Sequence, residues 1–189
     1  MTDAAAKPFL TDVKTLRARA REHLDAPAGA ATYIGDKAKT IEILQAVLAT
    51  EIVCVLRYTQ NAIAATGLAS EGVKGEFAQH AREEHVHVMA VAERINQLGG
   101  APDFNPETLT GRAASQYAAN PDLVAMIEEN LVAERIAVDH YRELIRYFGN
   151  DDPGTRSMIE EILKVEEEHA SDMLDLLQTH SSVRDLMLR

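Results

Sequence analysis

The sequence contains one group of potential metal ligands twice. Glu-x-x-His begins at Glu84 and again at Glu166, 82 residues later. A further glutamate precedes each copy at nearly the same distance, with Glu51 lying 33 residues before the first copy and Glu134 lying 32 residues before the second. Four carboxylates and two imidazoles can bind two metal ions. The candidate ligands are Glu51, Glu84, His87, Glu134, Glu166 and His169.

The spacing of the glutamates agrees with helices that fold back on themselves. In such a hairpin, residues at the same height are equidistant from the turn, so the midpoint of each glutamate pair should lie in a loop. The first midpoint lies beside Gly67, and the second is Asn150, within the helix-breaking segment Gly-Asn-Asp-Asp-Pro-Gly at 149–154. Each glutamate then lies roughly 25 Å from its turn, at about 1.5 Å per residue. The ligands are therefore expected near the middle of long helices.

Apolar residues with helical spacing predict the elements that carry these ligands. Ile41, Leu44 and Leu48 exemplify a periodicity that is helical rather than alternating. A small-residue linker at 25–31 and a connection at 101–120 that contains Pro102 separate the helical stretches. The predicted helices are 11–24, 37–66, 71–98, 121–148 and 153–179.

The connection at 101–120 determines the topology. Extended, its residues can span on the order of 60 Å, which exceeds the roughly 42 Å length of a helix the size of the second long one. The third long helix can therefore begin at either end of the second. Asn120 followed by Pro121 is expected to start it, as a cap and a proline in the first turn. We predict an all-α fold, a four-helix bundle with one long crossover and an N-terminal helical extension.

Composition and charge limit the classes of protein. The chain has 189 residues, enough for one buried core, and its single cysteine, Cys54, excludes an intramolecular disulfide and a four-cysteine metal centre. Net charge is −11, but residues 1–24 carry a net charge of +2. The acidic body repels nucleic acid and attracts cations. The basic leader could contact DNA, although a solvated helix or a subunit contact explains the same residues.

No segment has the length of a membrane span, and the N-terminus lacks the apolar stretch of a signal peptide. We therefore expect a cytoplasmic protein without a membrane partner. Three parts are predicted: an N-terminal extension and linker at 1–35, the metal-binding four-helix bundle at 36–180, and a short C-terminal tail at 181–189.

The sequence resembles bacterioferritins and the related bacterioferritin-like miniferritins over about residues 37–180. The resemblance is carried by Ala49-Thr50-Glu51 with Tyr58, by Glu84-His85-Val86-His87, by Leu131-Val132-Ala133-Glu134 and by Glu166-Glu167-Glu168-His169. It implies a ferritin-like di-iron bundle, with Glu51 and His87 as terminal ligands of one iron. Glu134 and His169 are then the terminal ligands of the other, and Glu84 and Glu166 bridge the pair.

Two more residues and the length of the C-terminal segment follow from the resemblance or depart from it. Tyr58 matches the tyrosine beside the iron pair, which makes it the candidate catalytic residue. His85 stands where haem-binding bacterioferritins have a haem-ligating methionine, which argues against haem. The chain ends nine residues after His180, which leaves little room for the fifth helix of the 24-subunit cages and favours a 12-subunit shell.

Charge balance indicates the chemistry. Four carboxylates neutralise two divalent ions, and mixed nitrogen and oxygen ligands favour iron or manganese, while zinc also binds such sites. We expect two iron ions per subunit and a ferroxidase that oxidises Fe(II) with O₂ or H₂O₂ and stores ferric mineral in a homo-oligomeric shell. Two alternatives stay open: a di-metal redox enzyme similar to manganese catalase or a peroxidase, and a DNA-protecting miniferritin.

Several other side chains lie near the candidate ligands in the sequence or on the same helix faces. Tyr141 repeats the position of Tyr58, seven residues after a glutamate, and either tyrosine could assist the site or simply pack in the core. His80 lies on the same helix face as Glu84, where a role beside the site and a surface position are both open. Glu83, Glu167 and Glu168 are expected to be solvated or to support the ligands.

Overall fold

The computed structural model describes residues 11–67, 70–120 and 122–187, of which 182–187 are described by their backbone alone. Within these stretches the regular structure is entirely helical. The helices are α1 (Val13–Glu22), α2 (Lys37–Ala64), α3 (Ser70–Gln97), α4 (Leu109–Arg112), α5 (Leu123–Phe148) and α6 (Pro153–Met187).

Two helical hairpins, α2–α3 and α5–α6, pack into a four-helix bundle, and the segment between α3 and α5 is the one long crossover. Both predicted turns are confirmed, because α2 ends at Ala64 and α5 ends at Phe148. Gly149 follows α5 with φ +48°, a left-handed conformation that costs glycine little. Asp152 then caps α6 by accepting a hydrogen bond from the Thr155 amide at 2.9 Å. The predicted fold class is therefore confirmed.

Three details differ from the sequence-based expectations. Asp122, rather than Asn120, caps α5 by accepting from the Ala125 amide at 3.0 Å, and Pro121 lies outside the described residues. The crossover contains one helical turn, α4. Helix α6 continues to Met187 instead of ending near residue 179, because the sequence after Gly154 contains no glycine or proline.

The interior of the bundle has two apolar layers. One is built around side chains such as Leu48, Val91 and Ile159, and all four long helices contribute to it. The other lies toward the opposite end of the bundle and includes Phe77 and Met173, again with contributions from all four. The candidate ligands occur along each helix between the residues of these two layers. The bundle thus places a polar layer between two apolar ones.

A buried arginine holds the crossover and α5 against α2. The Arg57 guanidinium, 2% exposed, donates to Asn130 Oδ1 from Nη2 at 2.8 Å and from Nε at 3.1 Å. It also donates to the main-chain oxygens of Gln116 and Glu129, both at 3.0 Å. A buried cation with several acceptors is stable where an unpaired one would not be. Arg57 therefore fixes the second hairpin relative to the first.

The N-terminal extension contacts one end of the bundle. Tyr33 donates a hydrogen bond to Asp152 at 3.0 Å, and Asp152 also pairs with Arg94 at 2.9 Å. Helix α1 has no buried side chain. The predicted division of the chain at residues 35 and 180 stays a prediction, and residues 1–10, 188 and 189 lie outside the described part. Over the described residues, no helix is both long and apolar enough to cross a membrane.

Candidate metal centre

All six candidate ligands lie in the polar layer at mid-bundle. Glu51 comes from α2 and Glu134 from α5, while α3 and α6 each supply a glutamate and, one turn later, a histidine. None of the six side chains belongs to a residue more than 5% exposed. The structure brings together every residue that the repeated spacing selected.

The six residues form two overlapping groups. One contains Glu51, Glu84, His87 and Glu166, and the other contains Glu84, Glu134, Glu166 and His169. Within each group, one potential ligand atom per residue lies within 4.8 Å of all the others. Glu84 and Glu166 belong to both groups. Two adjacent ions bound by these groups would therefore share two carboxylates.

The imidazoles face the shared carboxylates through the same ring atom. His87 Nδ1 lies 3.0 Å from Glu166, 3.2 Å from Glu51 and 3.5 Å from Glu84. His169 Nδ1 lies 3.4 Å from Glu84 and 3.8 Å from Glu166. Both histidines thus face the same two glutamates, Glu84 and Glu166, with Nδ1.

Unpaired polar atoms show that a cation fits this arrangement. Both carboxylate oxygens of Glu84, one oxygen each of Glu134 and Glu166, and His169 Nδ1 are buried without a hydrogen-bond partner. Buried polar groups normally have partners, and buried charges are normally paired or bound to metal. Divalent iron, manganese or zinc would satisfy this set of converging oxygen and nitrogen atoms.

The carboxyl groups of the metal-free site differ in their affinity for protons. Burial raises the pKa of Glu51 and Glu134 well above the usual value, and the neighbouring carboxylates Glu84 and Glu166 raise it further. Burial acts in the same direction on Glu84, but the adjacent imidazoles of His169 and His87 outweigh it and lower the pKa of Glu84. The site therefore favours the ionised form of Glu84 and the protonated forms of Glu51 and Glu134.

The pKa values of the two ligand histidines shift upward, whereas burial shifts those of ordinary buried histidines downward. Burial alone would lower the pKa of His87, but the carboxylates of Glu166, Glu51 and Glu84 around its Nδ1 raise it. Burial likewise opposes the charge on His169, whose pKa is raised by Glu84 and Glu166. The metal-free centre thus favours the protonated form of both imidazoles.

Two further side chains support the ligands. The Tyr58 hydroxyl donates to Glu134 of the other hairpin, which places the predicted tyrosine against a ligand carboxylate. His169 Nε2 donates to Glu83 at 2.9 Å. A carboxylate on the far nitrogen of a histidine fixes the ring and leaves the near nitrogen to face a metal. The Tyr141 hydroxyl is buried without a hydrogen-bond partner, so the two tyrosines are not equivalent.

The site opens to the surface between α3 and α6. A cleft of about 190 Å³ is lined by His87 and His169 and by the acidic side chains Glu83, Glu168 and Asp172. Its charge suits the passage of cations. Beside it, a larger groove of about 560 Å³ also reaches His87. His87 therefore lines both openings, and His169 lines the smaller one.

Two histidines close in sequence to the ligands, whose roles the sequence does not decide, occupy different positions in the structure. His80 is fully buried, with its ring stacked on His169 at 3.9 Å between centroids. The sequence indicates this position only through the spacing of four residues before Glu84, which places both side chains on one helix face. His85 is exposed and lines a groove of about 520 Å³ between α2 and α3, away from the centre. The argument from His85 against haem stays a prediction.

Known proteins resemble this chain across the bundle. The family model described as ferritin, ferritin-like domain, matches residues 41–183. A DNA protection during starvation protein of Pyrococcus furiosus is 32% identical over 146 residues, which cover 75% of this chain and 78% of that protein.

Solved structures show the same architecture. The dodecameric thioferritin of Bacteroides fragilis, a bacterioferritin-related protein, matches with a TM-score of 0.76 at 29% identity, covering 82% of this chain and 93% of its own. The Desulfovibrio desulfuricans bacterioferritin, which has a diiron site, matches with a TM-score of 0.71 at 20% identity, covering 82% and 90%. At that lower identity the similarity concerns the fold.

Proposed function

The chain belongs to the ferritin-like domain family, and from this premise we propose that it oxidises Fe(II) at the mid-bundle centre and stores the ferric product. Two overlapping ligand groups within one chain, with two shared carboxylates, carry the proposal. Fe(II) is the substrate here. Glu51 and His87 bind one ion, Glu134 and His169 bind the other, and Glu84 and Glu166 bridge them.

Charge favours two ions over one. Four carboxylates carry four negative charges once deprotonated, and two Fe(II) ions neutralise them. A single ion would leave two buried charges uncompensated, which is costly. Two Fe(II) ions together also supply the number of electrons that a two-electron oxidant accepts. Each Fe(II) gives up one electron, and the two electrons with two protons convert H₂O₂ to two waters or O₂ to H₂O₂.

The protein's own groups handle the protons of this reaction. Binding of Fe(II) displaces the protons of the two ligand histidines and of Glu51 and Glu134, because the pKa of each is raised in the metal-free site. Tyr58, hydrogen-bonded to Glu134, is a donor beside the centre. We assign it the catalytic role of supplying a proton or an electron to the reaction.

Storage requires a hollow assembly. The Bacteroides fragilis relative is dodecameric, and we propose a 12-subunit shell of this chain in the cytoplasm, with ferric mineral inside. Exposed apolar side chains on the outer faces of the bundle support subunit contacts, for example Ile63 at 78% and Val86 at 66% exposed. Isolated apolar residues are common on protein surfaces, but several on neighbouring helices indicate an interface.

Anaerobic titration tests the proposal. Fe(II) is added to the metal-free protein, followed by O₂ or, separately, H₂O₂, and the iron that stays with the protein through gel filtration is counted. We expect retention far above two per chain in a large assembly. Glu84→Gln should abolish rapid oxidation, while Glu93→Gln, an exposed site on the same helix, should not. Retention of two or fewer with continued peroxide turnover would replace storage by a di-metal redox enzyme.

DNA protection is a second candidate, favoured by the name of the Pyrococcus furiosus relative and by α1. This helix is exposed and carries Lys14, Arg17, Arg19 and Arg21. Phosphate contacts by such residues are lost as salt rises. Retention of duplex DNA in gel shifts at low salt should therefore disappear in an Arg17→Gln, Arg19→Gln variant. A matched Lys37→Gln, Lys164→Gln variant of the bundle should retain it. Equal loss in both, or no retention by the native protein, would reject this function.

A further inference from the structure

Helix α1 carries basic and apolar side chains that the rest of the described chain leaves uncovered. It has no buried side chain, and two of its apolar residues, Val13 and Leu16, are 59% and 49% exposed. Its basic residues, set against the single acidic residue Glu22, are Lys14, Arg17, Arg19 and Arg21. No ion pair among the described residues involves any of these basic side chains. The helix therefore offers an uncompensated positive charge next to exposed apolar groups.

A groove beside α1, called here the α1 groove, gives this surface its shape. It has a volume of about 700 Å³ and lies between the helix and residues 31–34 of the linker. Leu16 and Ala20, which are four residues apart and share a helix face, line it from one side, and Ile34 lines it from the other. Ile34 is 73% exposed. Arg19 also lines the groove, which therefore combines apolar walls with a positive charge.

The exposed face of α5 carries the complementary pattern. Five exposed residues at spacings of three or four lie in one line along the helix, called here the α5 stripe: Glu128, Val132, Ile136, Asp139 and Glu143. Val132 and Ile136, at the centre of the stripe, are 52% and 37% exposed. Glu129 and Arg135, which flank the stripe, carry opposite charges. The α5 stripe is thus apolar at its centre and acidic at both ends, over about 22 Å.

The acidic ends of the α5 stripe keep their negative charge within one chain. Of the three acidic residues in the stripe, only Asp139 forms an ion pair with another described residue, with Arg142 at 3.7 Å. Arg142 lies closer to Glu167, at 2.6 Å. Glu128 and Glu143 have no such pair among the residues that the structure describes. The stripe and the α1 groove therefore carry opposite charges, and neither charge is balanced in the single chain.

Two complementary surfaces, both uncovered within one chain, favour a contact between two copies. DNA phosphates would pair with the basic side chains of α1 but would leave its apolar side chains in water. An acidic and partly apolar protein surface uses both. Helix α1 also precedes residues 41–183, which the family model matches, so a contact through α1 is separate from any that the shared bundle makes.

We propose that the α1 groove of one chain binds the α5 stripe of a second copy. Val132 and Ile136 enter the groove between α1 and the linker, and the acidic ends of the stripe lie beside the basic side chains of α1. The two surfaces differ, so the contact is heterologous and joins chains head to tail, closing into a ring where the rotation allows it. Charge fixes the partner and the orientation, while the apolar side chains supply the burial.

Cross-linking of the full chain tests the contact. Leu16→Cys with Val132→Cys places one thiol on each surface, and the native Cys54 is 3% exposed and does not compete. Treated with a short bismaleimide, this variant should give at least about fivefold more covalent dimer than either single variant, because docking raises the effective concentration of one thiol near the other. The matched control is Leu16→Cys with Ser171→Cys, an exposed position on α6, and it should match the single variants.

The cross-linked products distinguish the possible partners of α1. Denaturing gels and peptide mapping should show positions 16 and 132 joined between two chains. A link between the same positions within one chain would overturn the proposal, since the α5 stripe would then bind its own α1. Equal yields in the double variant and the control would also overturn it. Loss of low-salt DNA retention on modification of the Leu16→Cys thiol, together with equal yields, would make nucleic acid the partner of α1.

A charge exchange tests which surfaces meet. Arg17→Glu with Arg19→Glu should raise the concentration at which the assembly dissociates at least about fivefold in sedimentation velocity, because attraction becomes repulsion. Adding Glu128→Lys with Glu143→Lys to the same chain restores opposite charges and should return this concentration to within about twofold of the native value. The control Lys37→Glu with Lys164→Glu makes the same change of charge at exposed positions outside the two surfaces and should have no effect. Dissociation without recovery in the fourfold variant would reject the α5 stripe as the partner.

The contact and the proposed function can fail separately. Neither surface contains a candidate metal ligand, so both experiments are carried out in chelator and do not depend on iron. Retention of many irons per chain without the 16–132 link would overturn this contact and leave storage in place. The link in a protein that retains no iron would support the contact and overturn storage.

Discussion

Metal binding to the empty centre should release about four protons per pair of ions near neutral pH. The two ligand histidines hold protons because Glu84 and Glu166 surround them. We expect Glu51 and Glu134 to hold protons as well, because burial raises their pKa. Glu84 contributes none, because its pKa is lowered and it is already ionised. A bound cation must displace each of the four protons to gain its ligand.

The number of protons released determines how strongly the affinity for the two metal ions depends on pH. Each displaced proton changes the binding constant tenfold per pH unit, so the pair should bind about 10⁴-fold more tightly for each unit of pH increase, or about 100-fold per ion. This corresponds to about 5.4 kcal/mol per pH unit for the pair. The steep dependence should hold near neutral pH and flatten once the pH exceeds the raised pKa values of the empty site.

Calorimetry with Zn²⁺ in two buffers of different ionisation enthalpy measures the protons directly. The buffer-dependent part of the heat should correspond to about four protons per pair in the native protein. Glu134→Gln, which replaces one proton-bearing carboxyl group by an amide of similar shape, should lower the number by about one at saturating Zn²⁺. Release of less than about one proton while two ions bind would refute the proposed charge state of the centre.

Other perturbations act on the same groups. In the metal-free protein, the raised pKa values of the ligand histidines mean that the folded chain binds more protons than the unfolded chain. Stability should therefore be greatest below about pH 6.5 and fall as the pH rises, which thermal denaturation in chelator from pH 6 to about pH 9 can measure. Tyr58→Phe removes a hydrogen bond that lowers the pKa of Glu134, so the pH midpoint of Zn²⁺ binding should rise by up to about one unit. Tyr141→Phe, which removes a hydroxyl without a partner, should leave that midpoint unchanged. Glu83→Gln should weaken the binding of the ion next to His169 by about 10- to 100-fold; equal competition by a zinc indicator for the variant and native proteins would contradict the supporting role of this carboxylate.

Much of the fold and of the candidate centre followed from spacing. In an antiparallel helical hairpin the rise per residue is fixed, so two glutamates about equally far from a turn must lie at the same height. The spacing of the glutamates thus located both turns and placed Glu51 beside Glu84 and Glu134 beside Glu166. The histidines followed because residues three apart share a helix face.

Other features depend on contacts that a single helix does not reveal. The helical period places His80 on the face of Glu84, but its burial depends on α6 packing His169 against it. Glu83 lies next to a ligand in sequence, yet its partner is on another helix. The interactions of Arg57 are also long-range, since its acceptors lie about 60 to 70 residues away. Sequence patterns select faces of helices, while the pairing of those faces decides which side chains meet.

The two apolar layers on either side of the centre have a consequence for the empty protein. Side chains from all four long helices meet in each layer, so the hairpins are held together above and below the buried carboxyl groups. Domains whose only strong cross-link is a metal lose their structure when the metal is removed. Here the scaffold is preorganised by hydrophobic packing, and binding energy is not consumed in ordering the chain. A chelator should therefore empty this protein without unfolding it, and the same folded subunit should then bind metal again.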